Sequence, residues 1–292
     1  MLLEAAYIGT KGTHLIARRN INPLIPQGGG TFQRQFPGFG DITATGQDGS
    51  STYHSFQFTF RQRIGTANIQ AAYTFGKTLG NGDDNARFQT SIFRTPWNDR
   101  TRAKGPANFD RTQRLALTFV QDLPNKFTGG AGKLLLNNWS FNGFFVTQTG
   151  TPLTVFNRNS GIDLGGIATD VAGAFNSDVV AGASLGTGGA LRANLQNYVN
   201  KSAWSLAPRN RYGNSGRGMF RGPGQSNLDV SLFKDFRFKE RFVTQFRTEF
   251  FNIMNLPNFG NPQLSLDNVS FGQISSTSVN ARLVQFALKL SF

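Results

Sequence analysis

The sequence predicts an all-β protein: a segment of an antiparallel transmembrane β-barrel with about eight strands, short periplasmic turns and long extracellular loops. Three observations predict it. Apolar residues recur at every second position over about ten residues at a time, the period of a strand wetted on one side only. Short and long connections alternate between these stretches. Of 292 residues, 29 are Phe and 34 are Gly, against 3 Met and 3 Trp. That mixture suits strands and turns better than helices, and so many aromatics exclude a wholly disordered chain.

The elements follow in order. "LLEAAYIGT" opens the chain as a strand. "TYHSFQFTFRQR" then sets His54, Phe56, Phe58 and Phe60 against Ser55, Gln57, Thr59 and Arg61. A short turn at Ile64-Gly65-Thr66 leads into "ANIQAAYTFGK", with Ala67, Ile69, Ala71, Tyr73 and Phe75 on one face. "RLALTFVQDL" alternates Leu115, Leu117 and Phe119 with Arg114, Ala116 and Thr118. After Pro124 and a Gly-rich connection, "NWSFNGFFVTQTG" places Trp139, Phe141, Gly143 and Phe145 on the apolar side, while Phe144 and Val146 fall on the polar one.

The next hairpin is the cleanest. Leu228, Val230, Leu232, Phe236 and Phe238 form one row, interrupted by Lys234. A tight turn near Lys239-Glu240 precedes Phe242, Thr244, Phe246, Thr248 and Phe250. The chain closes on "NARLVQFALKLSF", with Val284, Phe286, Leu288, Leu290 and Phe292 alternating with Gln285, Ala287, Lys289 and Ser291.

Long connections are expected at 11–51, 78–110, 151–226 and 253–280, rich in Gly, Asn, Ser, Pro and Arg. Short ones are expected at 64–66 and 239–240, with an intermediate one at 124–136. Structureless connections of that length are foreign to a compact soluble domain. With the C-terminus in the periplasm, counting strands backwards puts every short turn on the periplasmic side. In lipid no backbone group can be left unpaired, so such strands must close into a barrel with the apolar rows facing acyl chains. Two other architectures fit the alternation: a small barrel filled by its own side chains, and a soluble sugar-binding β-sandwich with the Phe rows buried between two sheets.

Several classes are excluded or unsupported. There is no Cys, hence no disulfide framework and no cysteine-ligated metal. No run of 18 apolar residues marks a transmembrane helix, and the first residues lack the charged n-region and apolar core of a secretory signal. The histidines, His14 in an expected loop and His54 at an expected strand start, have no triad spacing around them. Asp83-Asp84, with Asn81 and Asn85, lacks the spacing and distal Glu of a calcium loop, and "GTGGA" at 186–190 lacks the ending of a phosphate loop. The chain is therefore expected to be no enzyme and to hold no cofactor or metal. The net charge of +14 is concentrated in places such as "APRNRYGNSGRGMFRG", with Arg209, Arg211, Arg217 and Arg221 and no acid between them. No nucleic-acid-binding motif accompanies these arginines. At the outer end of a barrel strand they suit lipopolysaccharide phosphates or the carboxylates of neighbouring loops.

"NFDRTQRLALTFVQDLP", "WSFNGFFVTQTGTPLTV", "RNRYGNSGRGMFRGPGQSNLDVSLFKDF" and "FRTEFFNIMNLPNFGNP" resemble the C-terminal barrel region of TonB-dependent receptors, in particular the Oar-like group that carries a carboxypeptidase-regulatory-like domain. The resemblance spans nearly the whole chain and is most specific from Arg211 to Asp235. It implies that residues 1–292 are the C-terminal portion of a barrel of about 22 strands, without the plug, the TonB box or the export signal of an intact receptor. It implies an outer-membrane location, a small ligand of unknown identity bound by loops such as 78–110 and 151–226, and TonB acting through the missing plug. It also implies that Val284, Phe286, Leu288, Leu290 and Phe292 are the C-terminal signature read by the barrel-assembly machinery. A small stand-alone barrel, acting as a passive pore or an adhesin, is the alternative.

Overall fold

A computed structural model of the chain describes residues 1–22, 24–28, 31–40, 42–81, 104–157, 175–207, 213–238 and 242–292. Eight long strands form one antiparallel sheet in chain order: β1 (Leu2–Asn20), β2 (Thr43–Ile64), β3 (Ala67–Gly80), β4 (Gln113–Asp122), β5 (Trp139–Gln148), β6 (Gln225–Phe238), β7 (Phe242–Phe251) and β8 (Leu283–Ser291). A two-residue strand, Gly105–Pro106, pairs with the end of β3. Among the described residues β1 and β8 each have one long neighbour, so the sheet is an open arc.

The register explains why these residues form these strands. Leu3 lies opposite Phe60, Phe60 opposite Ala71, Ala71 opposite Leu117, Leu117 opposite Phe145, and Phe145 opposite Leu228. Two residues along, Val230 opposes Phe250, which opposes Val284. Every apolar row therefore lands on one face of the sheet, and a slip of one residue in any strand would send its row to the other. This face is open: Phe56 is 43% exposed, Phe286 66% and Leu288 72%. No second sheet packs on it among the described residues, which removes the sandwich. Gly143 belongs to this face because an added Cβ would sit 2.2 Å from the Phe119 ring, which lies across it.

The opposite face is a polar lattice. The Gln245 amide donates to Asp235 at 2.8 Å, and Arg247 donates to Gln245 while lying 5.0 Å over the Phe233 ring. Asn227 donates to Asp229 at 2.7 Å, and Gln148 to Gln225 at 2.6 Å. Phe144 and Val146 do point to this side, opposite Asp229 and Asn227.

Three expectations need correction: the 11–51 loop, the places of the histidines, and the longest connections. The loop expected over 11–51 is mostly strand: Lys11–Asn20 pairs with Thr43–Thr52. This part of the hairpin has no alternation to read, and register shifts at Gly12/Leu15 and Leu15/Ala17 interrupt it. His14, at φ 57°, thus sits at an irregularity inside β1 rather than in a loop, and His54 lies mid-strand rather than at a start. The connection expected at 124–136 is present, and it also contains a short helix, α1 (Gly130–Leu136), too brief to register as a period. Finally, 151–226 and 253–280 are not structureless. They carry small ribbons (Pro152–Leu153 with Phe220–Arg221; Asp178–Val179 with Trp204–Ser205) and the one hydrophobic core cluster found among the described residues. The 239–240 turn and Asp83-Asp84 lie outside the described residues, but β6 and β7 pair up to Phe238 and Phe242.

Candidate functional site

Two regions stand apart in this chain: the exposed apolar face, and a cap built by the long connections at one end of the sheet. In the cap, Val155 and Ala203 are fully buried, with Val199, Trp204, Leu266 and Phe271 packed beside them. The two long connections interlock through their backbones. Leu266 N–H donates to Phe156 O at 2.7 Å, Tyr198 N–H to Gly272 O at 2.9 Å, and Ile274 N–H to Leu195 O at 2.8 Å. Gly272, at φ 80°, lies too close to the Val199 carbonyl for a side chain.

The segment "GRGMFRGPG" (216–224) ties the cap to the strand ends. Glycines on both sides of this junction are required by contact: a Cβ on Gly218, at φ 62°, would lie 2.9 Å from Pro152 Cβ, one on Gly150 would overlap the Gly222 carbonyl, and one on Gly105 would lie 2.8 Å from Arg217 Cβ. Arg221 is the junction. Its guanidinium pairs with the Asp110 carboxylate and donates to Gly150 O at 2.9 Å and Asp110 O at 3.1 Å. Its own carbonyl accepts from the Tyr198 hydroxyl at 2.8 Å. Asp110 is 2% exposed and also accepts from Thr78 N–H in β3 at 2.6 Å. Arg111 donates to Thr149 O at 2.6 Å. Burial first, then the charges of Arg221 and Arg114, pull the Arg111 pKa below its ordinary value, and burial raises that of the Tyr198 phenol.

At the other side of the cap, Asn252 ends β7 in the left-handed region (φ 49°) and is 2% exposed. Its N–H donates to Asp229 at 2.8 Å and its amide to Leu256 O and Asn280 O. Asn258 accepts from Ser226 N–H at 2.6 Å. The asparagines of "FFNIMNLPN" thereby fold the start of 253–280 back onto β6.

The residues singled out in the sequence fall as follows. Val284, Phe286, Leu288 and Leu290 lie on the apolar face of the edge strand β8, and Phe292 follows it, 87% exposed. Arg221 pairs with Asp110 as above. Arg217 packs against Gly105, and Arg209 and Arg211 lie outside the described residues. His54 accepts or donates at 2.6 Å with the Tyr7 hydroxyl on the apolar face. Gly188 and Gly189 of "GTGGA" form a turn at φ 70° and 77°, closed by Asn194. Among the described residues no three His, Asp or Glu side chains gather into a metal site. Asp110, Tyr198 and Trp204 were not legible as a group, because 88 residues separate Asp110 from Tyr198 and no period links them.

No curated protein matches the sequence. Among solved structures, the outer membrane transporter YddB from Escherichia coli is similar at 12% identity and a TM-score of 0.48, covering 99% of this chain and 30% of that one. The chain thus spans less than a third of the length of that transporter. A family model described as an outer membrane beta barrel domain matches residues 1–285. One apolar face, one polar face and a meander of eight antiparallel strands are what such a domain needs, and the chain belongs to the outer membrane beta barrel domain family, in the outer membrane.

Proposed function

We propose that the chain is the barrel portion of a TonB-dependent receptor and that its cap is the ligand-holding end. The observation that supports this is the asymmetry of the two sheet ends. One end has short connections; the other carries long connections built into a packed, arginine-tied body. A passive pore has no need of such a body, whereas a receptor does. The open arc of the sheet is consistent with a wall larger than eight strands. In this reading TonB acts through a plug, the unidentified ligand docks on the cap, and the charge of Arg209, Arg211 and Arg217 suits lipopolysaccharide phosphates or loop carboxylates. The barrel-assembly machinery recognises Val284, Phe286, Leu288, Leu290 and Phe292. No catalytic step is assigned to the chain.

The test is photo-crosslinking of the full-length gene product, in outer-membrane vesicles, to the purified C-terminal domain of TonB. A crosslink competed by unlabelled TonB domain is expected. Absence of any crosslink, together with steady single-channel conductance from the 292-residue chain alone, would replace the receptor by a passive pore.

A further inference from the structure

At the end of the sheet away from the cap, the connection between β4 and β5 carries α1 (Gly130–Leu136). We propose that this connection is an interfacial anchor, seated in the phospholipid monolayer on the periplasmic side of the outer membrane. The proposal rests on the family assignment and on the orientation argued above, with the cap outside.

Its outer surface carries five exposed large apolar side chains. Leu134, Leu135 and Leu136 are consecutive and 45%, 53% and 54% exposed, and Leu123 and Phe127 beside them are 42% and 46% exposed. Side chains at three successive helical positions point in three directions about 100° apart. No one protein surface packs all three, and a soft lipid interface does.

Two asparagines hold the connection's backbone together from within. Asn137, 5% exposed, donates to Phe127 O at 2.7 Å and accepts from Phe127 N–H at 3.2 Å. Asn138 N–H donates to Asn125 at 2.6 Å. The carbonyls at the end of α1 are covered by two side chains from the apolar face of the sheet. The Trp139 indole donates to Leu135 O at 2.8 Å, and the Lys234 ammonium donates to Asn137 O. Those two contacts decide which side α1 lies on. Trp139 and Lys234 are cross-strand partners on the apolar face of the sheet, so α1 lies at the end of that face, continuous with its apolar rows.

The same contacts account for the break in the apolar row. Lys234 is 1% exposed, and its charge is held between the Asn137 carbonyl, the Asp235 carbonyl and the Phe236 ring 4.7 Å away. It serves as a tether for the anchor. Lys126 and Lys133 are exposed on the connection itself and match the anionic headgroups of a phospholipid monolayer.

Because the chain has no Cys, one engineered thiol is unique. Leu135→Cys in this 292-residue chain is labelled with an environment-sensitive dye and inserted into phosphatidylethanolamine–phosphatidylglycerol vesicles. Lipids spin-labelled near the headgroup and at the chain end probe its depth. The expected result is blue-shifted emission, most of it lost to the shallow quencher and little to the deep one. Val269→Cys, 98% exposed in the cap, serves as the aqueous reference and should respond to neither. Water-like emission at position 135 overturns the anchor. So does blue-shifted emission that no lipid quencher reaches, which would mean that protein covers the leucines. Neither outcome bears on the TonB crosslink, so the two proposals fail separately.

Discussion

Phe286 and Phe271 are the same residue type in one chain, and the structure treats them in opposite ways. Phe286, in the wall, is 66% exposed; Phe271, in the cap, is 6% exposed. The wall turns its large apolar residues outward and its Gln, Asp and Arg inward, while the cap buries Val155 and Trp204 as any water-soluble domain does. The two regions are folded for two solvents. In the wall the apolar rows are a surface matched to hydrocarbon, and stability comes from the backbone ladder, which lipid makes obligatory. In the cap the apolar residues are the core, and water drives their burial.

The comparison can be broken at four places, taken in order of expected effect. Trp204→Ala empties the centre of the cap. Loss of a buried Trp costs about 3–5 kcal/mol, and here it should fall on the cap alone. Limited proteolysis should cleave within 177–205 rapidly, while heat-modifiable migration of the folded wall is retained. Loss of both together would show that wall and cap fold as one unit.

Leu288→Arg tests the wall. Leu288 is the middle of the apolar row on β8, between Phe286 and Leu290. An arginine at the bilayer midplane of a barrel costs about 2–4 kcal/mol. Reduced insertion is expected in lipid vesicles, with the protease pattern of the cap in the inserted fraction unchanged. Equal insertion of Leu288→Arg and the parent chain would mean that this face does not meet hydrocarbon.

The wall was legible because its evidence is local and repeated. Alternation in "LVQFALKLS" or "NLDVSLFK" needs no knowledge of the partner strand, and the register then brings each row onto one face. The cap was not legible because its evidence is neither. Val155, the pair Val199 and Trp204, and Leu266 lie in three separate stretches, and their contacts span more than a hundred positions. The arginines at 209–221 were noticed for their charge, but Asp110, the partner of Arg221, sits in a different connection. The extension of β1 and β2 was missed for a related reason. The residues of Lys11–Asn20 and Thr43–Thr52 do not alternate apolar with polar, and the register shifts between Gly12 and Ala17 interrupt the period further. The α1 helix has only seven residues and three adjacent leucines, which fit no helical face.

Asp110→Ala probes the junction between the regions. It leaves the Arg221 guanidinium without its carboxylate and Thr78 N–H without its acceptor. Arg221 is 30% exposed, so water recovers part of the loss. Hydrogen bonds to a charged group are worth about 1.5–3 kcal/mol, and the lower half of that range is expected. The readout is hydrogen exchange at Thr78 and across 213–224, which should speed up while exchange in β6–β8 is unchanged.

The smallest effect is expected at Tyr198, and it has a pH signature. Its hydroxyl donates to Arg221 O, and burial raises its pKa above the ordinary phenol value. The protonated form is therefore the one the cap prefers. The corresponding stability is fully present below about pH 10, the pKa of the phenol in an unfolded chain, and it is lost as pH rises through the folded value. Tyr198→Phe removes one hydrogen bond, worth about 1 kcal/mol, and removes this alkaline loss with it. The measurement is cap proteolysis as a function of pH, using a protease active from neutral to strongly alkaline solution. The parent cap should open as pH climbs above the phenol range, while the Tyr198→Phe cap starts weaker and loses less over the same interval. If the two pH profiles were parallel, the alkaline sensitivity would belong to another group, and Tyr198 would contribute through packing alone.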